Sequence, residues 1–180
     1  RVRCVLPLSF RRMRQFFIRD RLQAGELMGF DTDLVGSYGY CTDMSRTWLC
    51  GDENPTNEQK EIYTLGYEQI QKNMELLKPG ITFKELTLNA KEYSKDEYRH
   101  YSVLFHGVGL CDEFPAIPFS WELNENSFDG VLKNGMVMCV ETYVGRFSGG
   151  SGVKLEEQVL ITENGHELLT SYPFESDLLI

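Results

Sequence analysis

The chain has 180 residues, is 42% hydrophobic, and carries 18 Lys+Arg against 27 Asp+Glu for a formal net charge of −9. This is the length of one ordinary domain with enough apolar content for a core, which excludes wholesale disorder. The acidity argues against nucleic acid as a partner, and no run approaches the ~20 apolar residues of a membrane span.

Charge is unevenly placed. Residues 1–21 hold seven Arg and one Asp, and the acidic excess lies in the remainder. The basic opening lacks a long apolar run and an A-x-A cleavage site, so it does not read as a secretory signal. Its Arg-rich composition superficially matches an organelle transit peptide, and the plainer reading is a solvated terminus. An opening Arg1 in place of Met reads as a fragment or processed product. The expected division is a basic terminus over residues 1–22, foreign to the fold, and a domain over residues 23–180. Cys4, Cys41, Cys50, Cys111 and Cys139 form no C-x-x-C pair. Odd, scattered cysteines argue against a disulfide framework and point to a reducing cytoplasm, with most thiols acting as small core residues.

In chain order, residues 26–35 read as a strand, residues 36–39 as a turn and residues 43–49 as its hairpin partner. Thr56 with Gln59 forms a capping box. It opens a helix in which Ile62, Leu65, Ile70, Met74 and Leu77 recur at helical spacing, stopped by Lys78-Pro79-Gly80. Thr82 with Glu85 is a second capping box, whose helix presents Phe83, Leu86, Ala90 and Tyr93. Strand patterns return at 101–105, 136–143, 153–162 and 166–170, the last two joined by Asn164-Gly165. The sum is α+β, an antiparallel-rich sheet with a helix pair inserted.

Four acids interrupt or end these strands: Asp33, Asp43, Glu141 and Glu156. A buried acid is costly unless it is paired or binds a cation. Together with His106 in Phe105-His-Gly-Val-Gly-Leu110, they suggest an oxygen-rich site with one imidazole, suited to Fe, Mn, Zn or Co. Four carboxylates would balance two divalent ions.

These residues also carry a resemblance. Gly39-Tyr40-x-x-Asp43-x-Ser-Arg46-Thr47 resembles the GYxxDxTRT segment of the creatinase/aminopeptidase P superfamily. His106-Gly-Val-Gly resembles its HGxG motif, Asn134-Gly-Met-Val-x-x-Val-Glu141 its NGMVFTVEP strand, and Gly152-Val-Lys-Leu-Glu156 its GVRIE strand. The resemblance implies the pita-bread fold, a curved antiparallel-rich sheet with covering helices, here as an incomplete catalytic domain. It also implies metal ligation by an aspartate near position 33 and by Asp43, His106, Glu141 and Glu156.

Two departures sharpen it. The superfamily's first aspartate lies eleven residues before the second, but Thr32 stands there, flanked by Asp31 and Asp33. Residues two apart on a strand share a face, so both acids are expected at one pocket. After His106, Asp112 takes the place of a peptidase histidine. An ionised Asp accepts a proton but has none to donate, which favours proton abstraction over hydrolysis. Both departures resemble the metal-dependent dimethylsulfoniopropionate (DMSP) lyases of the superfamily, which eliminate dimethyl sulfide from a zwitterionic substrate and leave acrylate. That resemblance implies two divalent ions, iron first, with Asp112 as the base and Tyr101 in the active site. Tyr101 and Trp121 are candidates to face the sulfonium, and a homodimer is expected for the full-length protein. Lys154 replaces the superfamily's Arg and loses its planar fork. His100 and His166 read as surface residues, while Glu113 and Glu157 are expected to face away. The competing readings are an Xaa-Pro metallopeptidase and a non-catalytic binding module.

Overall fold

The structure is a computed structural model that describes residues 22–180, so the expectation about the basic terminus falls on residues outside that range. Strand β1 (Leu27–Asp31) pairs antiparallel with β4 (Ser45–Leu49). Between them lies a small ladder of β2 (Leu34–Val35) and β3 (Cys41–Thr42). The expected long hairpin is thus broken. Thr32 Oγ1 donates to Met44 O across the gap (3.1 Å).

Helix α1 (Asn57–Met74) opens on the Thr56/Gln59 capping box, with reciprocal bonds of 2.8 and 3.2 Å. It ends before Leu77, whose side chain is buried just beyond the helix. Helix α2 (Phe83–Asn89) opens on the Thr82/Glu85 box. Tyr93, expected on its face, lies past its end, where its hydroxyl donates to Leu65 O.

The main sheet holds β5 (Tyr98–Arg99), β6 (Phe105–Gly107), β7 (Ala116–Ile117), β8 (Val137–Arg146), β9 (Gly152–Thr162) and β10 (Gly165–Leu168). Its order is β10-β9-β8-β6-β7, with β5 added at the far end of β8. The strand expected at 101–105 instead begins at Phe105, which leaves Tyr101 in an irregular segment.

Strands β8 and β9 place alternate residues on opposite faces. Helix α1 covers one face. Gly66 brings the helix close there, since a Cβ at that position would lie 3.4 Å from Leu155 and Thr142. Ile62, Tyr63, Ile70, Val140, Val144, Val153 and Leu155 close the core. Burying each such aliphatic side chain is worth about 1.5–3 kcal/mol.

Strand β4 runs beside the first half of β9 through side chains. Thr47 Oγ1 donates to Lys154 O (2.8 Å) and accepts from Lys154 N (3.0 Å). Arg46 is buried. Its guanidinium donates to Glu156 O, Tyr172 O and Glu157 Oε1, each at 2.6 Å, and lies 4.1 Å from the Phe174 ring centre. Glu157 therefore faces away from its neighbour Glu156, as expected, and takes its counter-charge from Arg46.

Candidate metal centre

The second face of the sheet is polar. Glu141 and Glu156 are direct cross-strand partners, so both carboxylates leave the sheet on the same side. His106 opposes Cys139 in the β6–β8 register, and Cys139 stands two residues before Glu141. The same face therefore carries His106, Cys139, Glu141, Lys154, Glu156 and Gln158. Gln158 Oε1 accepts from Asp43 N (3.0 Å) and Thr42 Oγ1 (3.1 Å), which draws the β3–β4 turn over this face and delivers Asp43 to it.

The side chains meet closely. His106 Nε2 lies 3.0 Å from Glu156 Oε1, 3.6 Å from Glu141 Oε1 and 3.7 Å from Asp43 Oδ2. Glu156 Oε2 accepts from Ser45 Oγ at 2.9 Å. Lys154 Nζ bonds Glu141 Oε2 and stands 3.3 Å from Asp31 Oδ2 and 3.5 Å from Glu156 Oε2. Two sets of ligand-type atoms result, each with all its atoms within 4.8 Å of one another. The inner set is Asp43, His106, Cys139 and Glu156, all buried. The outer set is Asp33, Asp43 and Asp112, graded from exposed to buried.

Electrostatics follow from crowding acids out of water. Burial pushes the Asp43 and Glu141 carboxyls well above the usual range, and neighbouring Glu156 adds to it. Burial raises Asp33 as well, reinforced by Asp31 and Asp112. For Glu156, burial is outweighed by the bonded His106 and by Lys154, so its carboxyl lies low. Burial alone would lower the His106 imidazole, but Glu156 and Glu141 lift it to about 9. Lys154 is likewise held protonated against its burial by Glu156, Glu141 and Asp31.

Among the described residues, Asp31, Asp33, Asp43, Asp112, Glu141 and Glu156 thus face only Lys154 and His106 as local cations. Asp43 Oδ1 and Glu141 Oε1 are buried with no hydrogen-bond partner among the described residues. A buried carboxylate oxygen left unpaired costs more than a typical hydrogen bond returns. This donor set of carboxylates, one imidazole and one thiol fits a divalent ion, which would satisfy both oxygens.

The expected residues are not all placed alike. Asp33, Asp43, His106, Glu156 and Asp112 fall in the two sets, and Glu141 borders the inner one. Asp31 is turned aside: its Oδ1 shares the single Ser45 hydroxyl proton with Glu156 Oε2 and its Oδ2 faces Lys154, outside both sets. Strand β1 ends at Asp31, so the two-residue alternation does not carry through to Asp33. Tyr101 donates its hydroxyl to Glu113 Oε1 (2.9 Å), so Glu113 turns toward the site rather than away. Burial, followed by that bond, pushes the phenol pKa up, so Tyr101 keeps its proton. The Tyr101 ring lies 4.2 Å from Lys154 Nζ. Trp121 instead stacks on Phe119 at 4.6 Å and meets His100 at 5.0 Å. His100 is therefore half-buried in an aromatic cluster, whereas His166 is exposed.

Sequence reasoning missed Cys139 and the central position of Lys154. Their signal was parity: each stands two residues before a site glutamate on a strand, and hence on its face.

The sequence also matches the model of metallopeptidase family M24 over residues 13–163. The chain belongs to this family. It is 45% identical over 159 residues to a dimethylsulfoniopropionate lyase, DddP, of Roseovarius nubinhibens, covering 88% of this chain and 36% of that protein. It is 37% identical over 157 residues to an Xaa-Pro dipeptidase of Pyrococcus horikoshii, covering 83% of this chain and 41% of that protein. Among solved structures, the prolidase of Pyrococcus horikoshii superposes with a TM-score of 0.70 at 33% identity, over 86% of this chain and 43% of the other. The fold is therefore pita-bread, and the chain spans well under half the length of these relatives. Among the described residues no helix is long and apolar enough to cross a membrane.

Proposed function

We propose that this M24 chain serves a metal-dependent carbon–sulfur lyase that cleaves DMSP to dimethyl sulfide and acrylate. The observation that carries the reading is Asp112. Its carboxylate lies within 4.8 Å of ligand atoms of Asp33 and Asp43, and its Oδ1 is buried with no hydrogen-bond partner. A carboxylate oxygen that no described residue hydrogen-bonds, beside the proposed cation site, is placed to accept a proton. The 45% identity to a DMSP lyase supports the same choice.

The proposed holders are Asp33 and Asp43 for an outer ion, and Asp43, His106, Glu141 and Glu156 for an inner one, with iron first and Mn, Zn or Co as alternatives. Asp31 would hold Ser45 and Lys154 in place. The bound ions supply Lewis acidity toward the substrate carboxylate. Asp112 takes the proton from the carbon next to that carboxylate. The pair left behind becomes the carbon–carbon double bond, and the β-carbon to sulfur bond breaks with its pair passing to sulfur. Sulfonium becomes neutral dimethyl sulfide, and acrylate retains the negative charge. Tyr101, kept protonated, stays a hydrogen-bond donor tied to Glu113, and its ring centre lies 4.2 Å from Lys154 Nζ.

The test supplies the full-length protein with Fe²⁺ and offers DMSP and an Xaa-Pro dipeptide in parallel. Dimethyl sulfide in the headspace without dipeptide cleavage is expected. Dipeptide cleavage with DMSP left intact would replace the lyase reading with the dipeptidase one.

A further inference from the structure

We infer that the sulfur of Cys139 is a donor of the inner cation site, which biases that site toward borderline transition ions such as Zn²⁺, Co²⁺ and Fe²⁺ over hard Mn²⁺ and Mg²⁺. The inference rests on the cation-site reading and adds a ligand that the carboxylate and histidine motifs do not contain.

Three observations carry it. First, Cys139 Sγ stands with the ligand atoms of Asp43, His106 and Glu156, all within 4.8 Å of one another, a spacing one ion can bridge. Second, the thiol is fully buried, and its Sγ is turned to the polar face of the sheet. It faces an imidazole and carboxylates, and it makes a long contact to Asp43 O at 3.9 Å. Third, and independently, Asp43 Oδ1 and Glu141 Oε1 are buried and unpartnered on the same face. These are acceptors that only a donor or a cation can satisfy, and Lys154 already holds the other oxygen of Glu141.

Register explains why sulfur lands there. Cys139 opposes His106 across β6–β8 and shares the face of Glu141 two residues on. Cys41 and Cys50 are half-buried and Cys111 is exposed, so among the described residues Cys139 alone is a fully buried thiol. Coordination forms a sulfur–metal bond and releases the thiol proton to water. Soft sulfur raises affinity for borderline ions, while carboxylates alone serve hard ions as well.

Cobalt titration of the full-length protein tests this. Wild type is expected to develop a sulfur-to-cobalt charge-transfer band in the near ultraviolet alongside the visible cobalt bands. Cys139→Ser should keep the visible bands and lose the charge-transfer band. In competition, Cys139→Ser should lose Zn²⁺ affinity by about 10–100-fold, the scale on which groups supporting a metal site act, with Mn²⁺ affinity little changed. Visible cobalt bands without charge transfer in wild type would overturn the sulfur ligand and leave the oxygen–imidazole site standing. No cobalt binding in wild type would overturn both. The wild-type spectrum decides by itself, so a variant that fails to fold does not blunt the test.

Discussion

Glu156 and Glu157 are neighbours on one strand, equally buried, yet they meet opposite fates on the two faces of the sheet. Glu157 points into the face covered by α1, where Arg46 stands 2.6 Å away and turns it into half of an ion pair. Glu156 points into the other face, among Asp43, His106, Cys139 and Glu141. The first face is closed by the chain itself, through aliphatic packing and a guanidinium that holds one oxygen of Glu157, although the other, Oε2, has no hydrogen-bond partner among the described residues. On the second face, among the described residues, carboxylates outnumber local cations and three of their oxygens, on Asp43, Asp112 and Glu141, lack partners. A fold tolerates such a face when something it binds completes it. The difference separates structural from functional burial within one pair of strands.

The largest expected effect lies on the closed face. Replacing Arg46 with Met leaves Glu157 buried without its counter-charge. The loss should be about 3–5 kcal/mol of stability, read by denaturant unfolding. Ion content per folded molecule should not change. A variant that unfolds normally but loses its ions would show that the two faces are not independent.

A smaller effect is expected in the pH dependence of chelator-treated protein. Asp43, Glu141 and His106 have folded pKa values above their unfolded ones, with His106 at about 9 and, on the other face, Glu157 at about 7. A group raised on folding stabilises fully below its unfolded pKa and loses that contribution as pH rises through the folded value. Glu156, lowered on folding, acts in the opposite sense and costs stability only at the acid end. Stability should therefore fall from about pH 5 toward pH 9, by about 1.4 kcal/mol per pH unit for each extra proton the folded state holds. A divalent ion should flatten that slope, because it binds the deprotonated ligands. A slope that rises with pH in chelated protein would contradict the crowding of acids on the open face.

Much of this was readable from sequence where the rules are local. Both capping boxes stand where Thr56/Gln59 and Thr82/Glu85 put them, because a cap depends only on residues three apart. Glu141 and Glu156 were legible as acids breaking apolar runs. Asp31 was legible as an acid of this face but not in its contacts with Ser45 and Lys154, because strand alternation holds only while the strand lasts, and β1 stops at that residue. The strand expected at 101–105 starts late for a related reason: Tyr101 answers to Glu113 and Lys154, which lie far along the chain. Cys139 carried a valid parity signal, but a single cysteine in an apolar strand reads as core until His106 is seen opposite it. For Cys139 it was long-range register, and for Tyr101 long-range side-chain contacts, that made the difference, and sequence spacing contains neither.

The most direct measurement is dimethyl sulfide release from DMSP by Asp112→Asn, with metal content determined on the same sample of full-length protein. This replacement keeps size and removes the basic oxygen. Metal content near that of wild type, with elimination reduced by ~10²-fold or more, is the expected result for loss of a general base. Full elimination activity in the variant would contradict the role of Asp112 and return it to a purely structural place in the loop after His106.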